Sequence, residues 1–328
     1  MMRITFKRIG KKREVFLWSV IFSLMILLSI SAGAQPLQKG ASFFKYTHLF
    51  SFPTKKAEGE KAFGRPRNLA INSSGQLYVV VPYAKEVRVY NLKGEYRFSF
   101  GMRIKRGEEK KGKFSEPSGI TIDHKDLVYV SDLDRDMVLV FNPDGTFIQE
   151  FPIFQPRGKM DACAPFISFN PLKELLYIPD PCVQRVNIYT TSGQFITAFG
   201  EMGSNIGEFG GPASCAFTKE GEIYIVDPGN FRVQSFGSNH QAIDAFGVKG
   251  TKGGEFVRPY GIGIDSADRI FVSDFVLKSI QVFSRTGRLL GLIEEKSFKQ
   301  PLGVACSKEN RIYVVDGEGQ AVHVFQMD

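Results

Sequence analysis

The chain has 328 residues, 43% of them hydrophobic and 23% charged, with 33 glycines and 30 phenylalanines. That balance can bury a substantial core, and it excludes wholesale disorder and a polytopic membrane protein. The formal charge of +8 is uneven: residues 1–34 hold six basic groups and one acid, residues 35–113 hold 17 and six, and residues 114–328 hold 19 and 27.

At the N-terminus, Lys7, Arg8, Lys11, Lys12 and Arg13 precede an uncharged apolar run over residues 15–30, and Ala32-Gly33-Ala34 forms a small-x-small site before Gln35. This is the order of a signal peptide, and the run is shorter than the ~20 residues that span a bilayer comfortably. The expectation is a cleaved segment at 1–34, with an uncleaved anchor as the alternative. The mature chain, 35–328, is then exported as one domain, whether periplasmic, secreted or membrane-anchored.

After a first strand expected at residues 46–52 comes a repeat. Pro66, Pro117, Pro165, Pro212, Pro259 and Pro301 fall 51, 48, 47, 47 and 42 residues apart. Fifteen positions after each stand Val81, Asp132, Asp180, Asp227, Asp274 and Asp316. Six further on come Val87, Val138, Val186, Val233, Ile280 and Val322, and nine further on an aromatic: Tyr90, Phe141, Tyr189, Phe236, Phe283 or Phe325. Each unit reads as a strand after the proline, a polar turn, an apolar strand, a loop opened by the Asp, and a third strand. A glycine turn (Gly94, Gly145, Gly193, Gly287) and a fourth strand follow, with His240 in the glycine's place in unit four.

Six units of four short strands predict an all-β, six-bladed β-propeller of four-stranded antiparallel blades. The last unit stops after its third strand, at Phe325. Residues 46–52 alternate as the other fourth strands do, so this N-terminal strand is expected to complete the last blade and close the ring. In the third unit, Phe166 to Asn170 fit best with the first strand shifted by one residue.

The run Phe114-x-x-Pro117-x-Gly119-Ile120-x-Ile122-Asp123, then Val128-Tyr129-Val130-x-Asp132 and Val138-x-Val140-Phe141, resembles the NHL repeat, and residues 209–236 and 256–283 repeat it with small changes. The resemblance spans residues 46–327 and implies the propeller fold. It implies no single function, because NHL-like propellers include RNA and protein binders, extracellular sensors and a copper- and zinc-dependent amidating lyase.

The Asp column reads as structural, since an Asp after a strand accepts hydrogen bonds from the amides of its own turn. A zinc lyase would need converging imidazoles. The sequence has four histidines: His48 on the closing strand, His124 and His240 in turns, and His323 on a third strand. No pair has metal-ligand spacing, and each reads as a turn or surface residue. No nucleophile elbow, Walker loop or haem motif is present, and an acidic calcium site of the lactonase kind would have only Asn68 and Asn170 on innermost strands. No metal and no cofactor are expected. Cys215 and Cys306 replace core isoleucines, whereas Cys163 and Cys182 fall in two loops of one face of the third blade and are expected to form a disulfide.

The face bearing the lead-in loops and the Asp-opened loops gathers Arg65, Arg67, Tyr83, Lys85, Arg103, Lys105, Arg106, Arg135, Arg232, Arg258 and Tyr260, with Phe231 and Phe275. Arginine with aromatics is the composition of contact surfaces. The function expected is a non-catalytic scaffold binding a protein or an acidic extracellular polymer through this face, with peripheral contact to anionic membrane as a further role and no nucleic acid. The alternative is a propeller enzyme of the lyase or lactonase kind with its site at the central tunnel.

Overall fold

A computed structural model describes residues 44–52, 64–102, 110–153 and 166–328. The expected signal segment, the basic loop 103–109 and the lead-in to the third blade, with Cys163, lie outside the described residues. The first strand, β1, is Tyr46–Phe52. Blade one is β2 to β5 (Asn68–Ile71, Gln76–Val81, Glu86–Asn91, Tyr96–Phe100), and blade two is β6 to β9 (Pro117–Ile122, Val128–Asp132, Met137–Phe141, Phe147–Pro152). Blade three is β10 to β13 (Ser168–Asn170, Leu175–Asp180, Arg185–Thr190, Phe195–Phe199), and blade four is β14 to β17 (Ser214–Phe217, Ile223–Asp227, Arg232–Phe236, Ala242–Phe246). A short parallel pair, β18 and β19 (Val248–Lys249, Glu255–Phe256), leads into blade five, β20 to β23 (Pro259–Ile264, Ile270–Asp274, Ser279–Phe283, Leu289–Glu294). Blade six is β24 to β26 (Pro301–Cys306, Arg311–Asp316, Ala321–Met327).

Each blade is a four-stranded antiparallel sheet, and the fourth strand of blade six is β1, paired from Tyr46↔Met327 to Phe52↔Val322. Among the described residues the only helix is a 3-10 turn at Pro228–Asn230. The innermost strands contact one another around the ring, β24 meeting β2. At that seam the Gly303 amide donates to the Arg67 carbonyl at 3.2 Å. A Cβ on Gly303 would lie 2.6 Å from Asn68 Oδ1, so only glycine allows the close approach.

The core lies between blades, where apolar second and third strands of one sheet pack on the next. It is aromatic because the fourth-strand phenylalanine of five blades, Phe52, Phe100, Phe151, Phe199 and Phe246, reaches forward. Phe151 of blade two covers the turn glycine of blade three, where a Cβ on Gly193, at φ 89°, would lie 2.2 Å from the ring. In blade four His240 takes the left-handed conformation itself, at φ 67°, and stacks on Phe199.

The third blade's shifted register is present. Its second-strand tyrosine, Tyr177, pairs with Ser168, three residues after Pro165, whereas Tyr78, Tyr129, Tyr224 and Tyr313 pair with residues four after their prolines.

The closing blade corrects one expectation. His323 is not a turn or surface residue: it is 3% exposed. Its Nδ1 lies 2.8 Å from Ser51 Oγ on β1, and its Nε2 lies 3.6 Å from Asp316. Ser51 Oγ in turn meets His48 Nε2 at 3.0 Å, and His48 Nδ1 lies 3.5 Å from Glu295. A polar thread therefore runs through the latch between the two ends of the propeller. Burial alone would raise the Asp316 carboxyl, but the His323 ring and three backbone amides outweigh it and hold the carboxyl below its ordinary value.

Candidate functional site

The repeated Asp residues are fully buried, and they anchor more than their own turns. Asp274 accepts from the amides of Val276 and Leu277, both at 3.0 Å, and from those of Val257 and Arg258 in the lead-in loop, both at 2.8 Å. Asp316 does the same for Lys299 and Gln300, and Asp132 for Ser115 and Glu116. The column thus ties the two loop sets of one face together and fixes the platform on which the face's side chains stand.

On that platform, where the axis opens, lies a pocket of about 340 Å³ lined by residues of blades one, five and six: Arg65, Arg67, Tyr83, Tyr260, Phe275 and Gln300, with Pro66, Pro82, Leu302 and Gly317. Among the described residues no carboxylate lines it. Arg67 donates to Ser118 Oγ at 3.1 Å and lies 3.8 Å from Glu116, both of blade two. Arg65 is exposed and has no acceptor among the described residues. Tyr83 is 85% exposed at the rim. Tyr260 packs edge-on against Phe166 and Phe275, with ring centroids 5.1 and 6.0 Å away. Burial raises its phenol above the ordinary value, and the nearby Arg67 only partly offsets this, so Tyr260 stays a hydrogen-bond donor at neutral pH.

A second hollow of about 380 Å³ opens on the same face between blades four and five, lined by Gly210, Gly211, Pro228, Gly229, Phe231, Val257 and Arg258. The Arg258 guanidinium sits 5.8 Å from the centroid of Phe275, a wall of the first pocket. The two hollows therefore share the Arg258–Phe275 pair as their divide.

Of the residues expected on this face, Arg65, Arg67, Tyr83 and Tyr260 come together in the first pocket and Arg258 in the second. Arg232 does not join them. It is 9% exposed, bound to Asp227 at 3.1 Å and to the carbonyls of Ser204, Asn205 and Glu208, each at 2.8 Å. Arg135 is held by Glu150 at 2.7 Å and by the Lys113 carbonyl at 2.8 Å. Lys85 occupies a left-handed loop position at φ 57°. Arg103, Lys105 and Arg106 lie outside the described residues. Gln300 and Leu302 were missed by the sequence reading, though they flank Pro301 as Arg65 and Arg67 flank Pro66.

Cys182 is disulfide-bonded, and Cys215 and Cys306 are free thiols; the expected partner, Cys163, is outside the described residues. Below the first pocket, the axis holds a cavity of about 180 Å³ lined by innermost strands. Its polar side chains are Asn68, Thr121, Ser168 and Ser214, and Ser168 and Ser214 already donate to the carbonyls of Cys215 and Tyr260. Among the described residues neither carboxylate nor imidazole faces this cavity, so its donor set does not fit the zinc or calcium of the lyase and lactonase kinds. Among the described residues no group of three or more His, Cys, Asp or Glu side chains could hold a metal ion.

No protein-family model matches the sequence, and comparison with curated proteins gives no significant match. Solved structures do match. A catalytically inactive variant of virginiamycin B lyase from Staphylococcus aureus, with quinupristin, is 13% identical with a TM-score of 0.59, covering 83% of each chain. A gluconolactonase from Xanthomonas campestris is 12% identical with a TM-score of 0.60, over 81% of this chain and 88% of that one. Kuenenia stuttgartiensis hydrazine synthase is 10% identical with a TM-score of 0.59, over 82% and 98%. The class of protein is thus a six-bladed β-propeller whose structural neighbours include enzymes; the NHL-type resemblance rests on the sequence motif alone.

Proposed function

We propose that this protein is an exported NHL-type propeller that binds an anionic ligand, or the acidic surface of a partner, in the pocket at the axial mouth. The observation that supports it is the lining: two arginines and a tyrosine of blade one facing a tyrosine and a phenylalanine of blade five, with no carboxylate among the described lining residues. Guanidinium groups pair with carboxylates through two parallel hydrogen bonds, and aromatic faces supply area at low entropy cost. Retention of the purified protein on immobilised polygalacturonate and polyglutamate, at about 0.15 M salt where the Debye length is ~8 Å, tests the reading. Retention should fall in Arg65→Gln/Arg67→Gln; unchanged retention of that variant overturns it.

A second reading, favoured by the lyase and the lactonase among the structural neighbours, is that the same pocket also transforms its ligand. Protonated Tyr260 beside Arg67 would then stabilise a developing oxyanion and donate to it. Incubation with gluconolactone and with quinupristin, followed by mass spectrometry, tests this. Ring opening above the buffer rate and lost in Tyr260→Phe supports turnover, and rates equal to buffer reject it for these substrates.

A further inference from the structure

The hollow between blades four and five departs from the repeat at one point. In blades two, five and six, the carboxylate of the repeated Asp accepts two consecutive lead-in amides, those of Ser115 and Glu116, Val257 and Arg258, and Lys299 and Gln300. In blade four Asp227 accepts only the first, from Gly210 at 2.8 Å. Its other oxygen is occupied by Asn230 at 2.8 Å, Arg232 at 3.1 Å and Gln234 at 3.3 Å. The second amide, that of Gly211, has no acceptor among the described residues, and Gly211 lines the hollow. Arg258, exposed, forms the opposite wall. Lys249 stands over Phe231 at 5.2 Å. A free amide, a guanidinium and an ammonium around a phenylalanine, again with no lining carboxylate among the described residues, make a second place for an anionic group.

Resting on the reading that the axial pocket takes an anion, we infer that the two hollows are consecutive subsites for one acidic oligosaccharide. Each volume is at the low end of what holds a small molecule, ~300–1,000 Å³, so each takes one or two sugar rings. Tyr83 and Phe275 line the first hollow and Phe231 the second, apolar surface for the C–H sides of those rings. Arg67 and Arg258 take carboxylates, and the Arg258–Phe275 stack is the ridge the chain crosses. An acidic peptide would use the cations but leaves the aromatic lining of both hollows without a partner.

The experiment is calorimetric titration of the full chain with galacturonic acid, with tetragalacturonate and with tetraglutamate. Tetragalacturonate is expected to bind at least about 30-fold more tightly than the monosaccharide. Arg258→Gln is expected to weaken the tetrasaccharide about tenfold and leave the monosaccharide unchanged, while Arg67→Gln weakens both. Equal affinity for monomer and tetramer, with dependence on Arg67 only, overturns the two-subsite inference and leaves the anion pocket standing. Tetraglutamate binding as tightly as tetragalacturonate assigns the face to acidic peptide and overturns the glycan. No binding of any probe overturns both readings for these ligands.

Discussion

The hydroxyl of Tyr313 in blade six donates to the carbonyl of Leu92 in blade one at 3.3 Å, across 221 residues of sequence. The same contact recurs in three more blades: Tyr78 donates to Pro143 and Tyr224 to Arg285, both at 2.8 Å, and Tyr177 meets His240 at 2.9 Å, while Tyr129 of blade two donates to Asp123 of its own blade at 3.0 Å. In each contact between blades a second-strand tyrosine reaches the third turn of the next blade. Blade five has Phe271 there, and the blade it faces has no such turn, because its fourth strand comes from the other end of the chain. The residue lacks a hydroxyl where no third turn of a neighbouring blade could receive it. Tyr313→Phe is expected to cost about 1 kcal/mol, and Phe271→Tyr should cost about 1–3 kcal/mol by burying an unpaired polar group, both read by urea denaturation.

These tyrosines also set an alkaline limit. Burial pushes Tyr78 and Tyr177 up to about 12 and raises Tyr129, Tyr224 and Tyr313 as well. Unfolded tyrosines ionise near pH ~10, so their contribution is complete below that pH. It is lost as pH rises from ~10 towards the folded values, because only the unfolded chain gains the charge. Thermal melts should hold their midpoint to pH ~9.5 and fall steeply above ~10.5. A flat midpoint to pH 12 would contradict the shared burial.

The Asp column predicts a graded response. Asp274→Ala strands four backbone amides and should cost about 3–5 kcal/mol, with the lead-in loop of blade five losing amide protection in hydrogen exchange. Val81 fills the same offset in blade one, so Val81→Ala should show only a cavity effect, about 1–2 kcal/mol.

His240 stacks on Phe199 with centroids 4.7 Å apart and planes 13° from parallel. Replacing it by glycine removes that stack and the Tyr177 contact but relieves a left-handed side chain, for a net loss of about 1 kcal/mol. Gly193→Ala drives a Cβ into Phe151 at positive φ and should cost more, about 2–4 kcal/mol. Paired chemical denaturation of the two variants decides the order.

Much of this fold was legible because it is written six times. One Asp offset, one aromatic offset and the unit lacking a last strand were enough to place β1 against β26. The tyrosine ladder, three residues before the Asp, shows the same regularity in the sequence, but its hydrogen bonds join different blades and are invisible to a reading made one unit at a time. The site was legible less fully. Arg65, Arg67, Tyr83 and Tyr260, named from loop position and composition, line one pocket. Arg232 looked alike yet is the first residue of a strand: it shares its offset with Met137, Arg185 and Ser279, and its guanidinium turns into the lead-in carbonyls. Side-chain direction at a strand end depends on where the neighbouring loop folds, which no periodicity encodes.

A crystal structure grown with tetragalacturonate at physiological ionic strength tests the central claim most directly. Sugar density is expected at the axial mouth, with a carboxylate against Arg67 and the chain continuing over Phe275 towards Arg258. Ordered ligand on the face of the first and third turns, with the pocket of Arg65, Arg67 and Tyr260 filled by water, would contradict it.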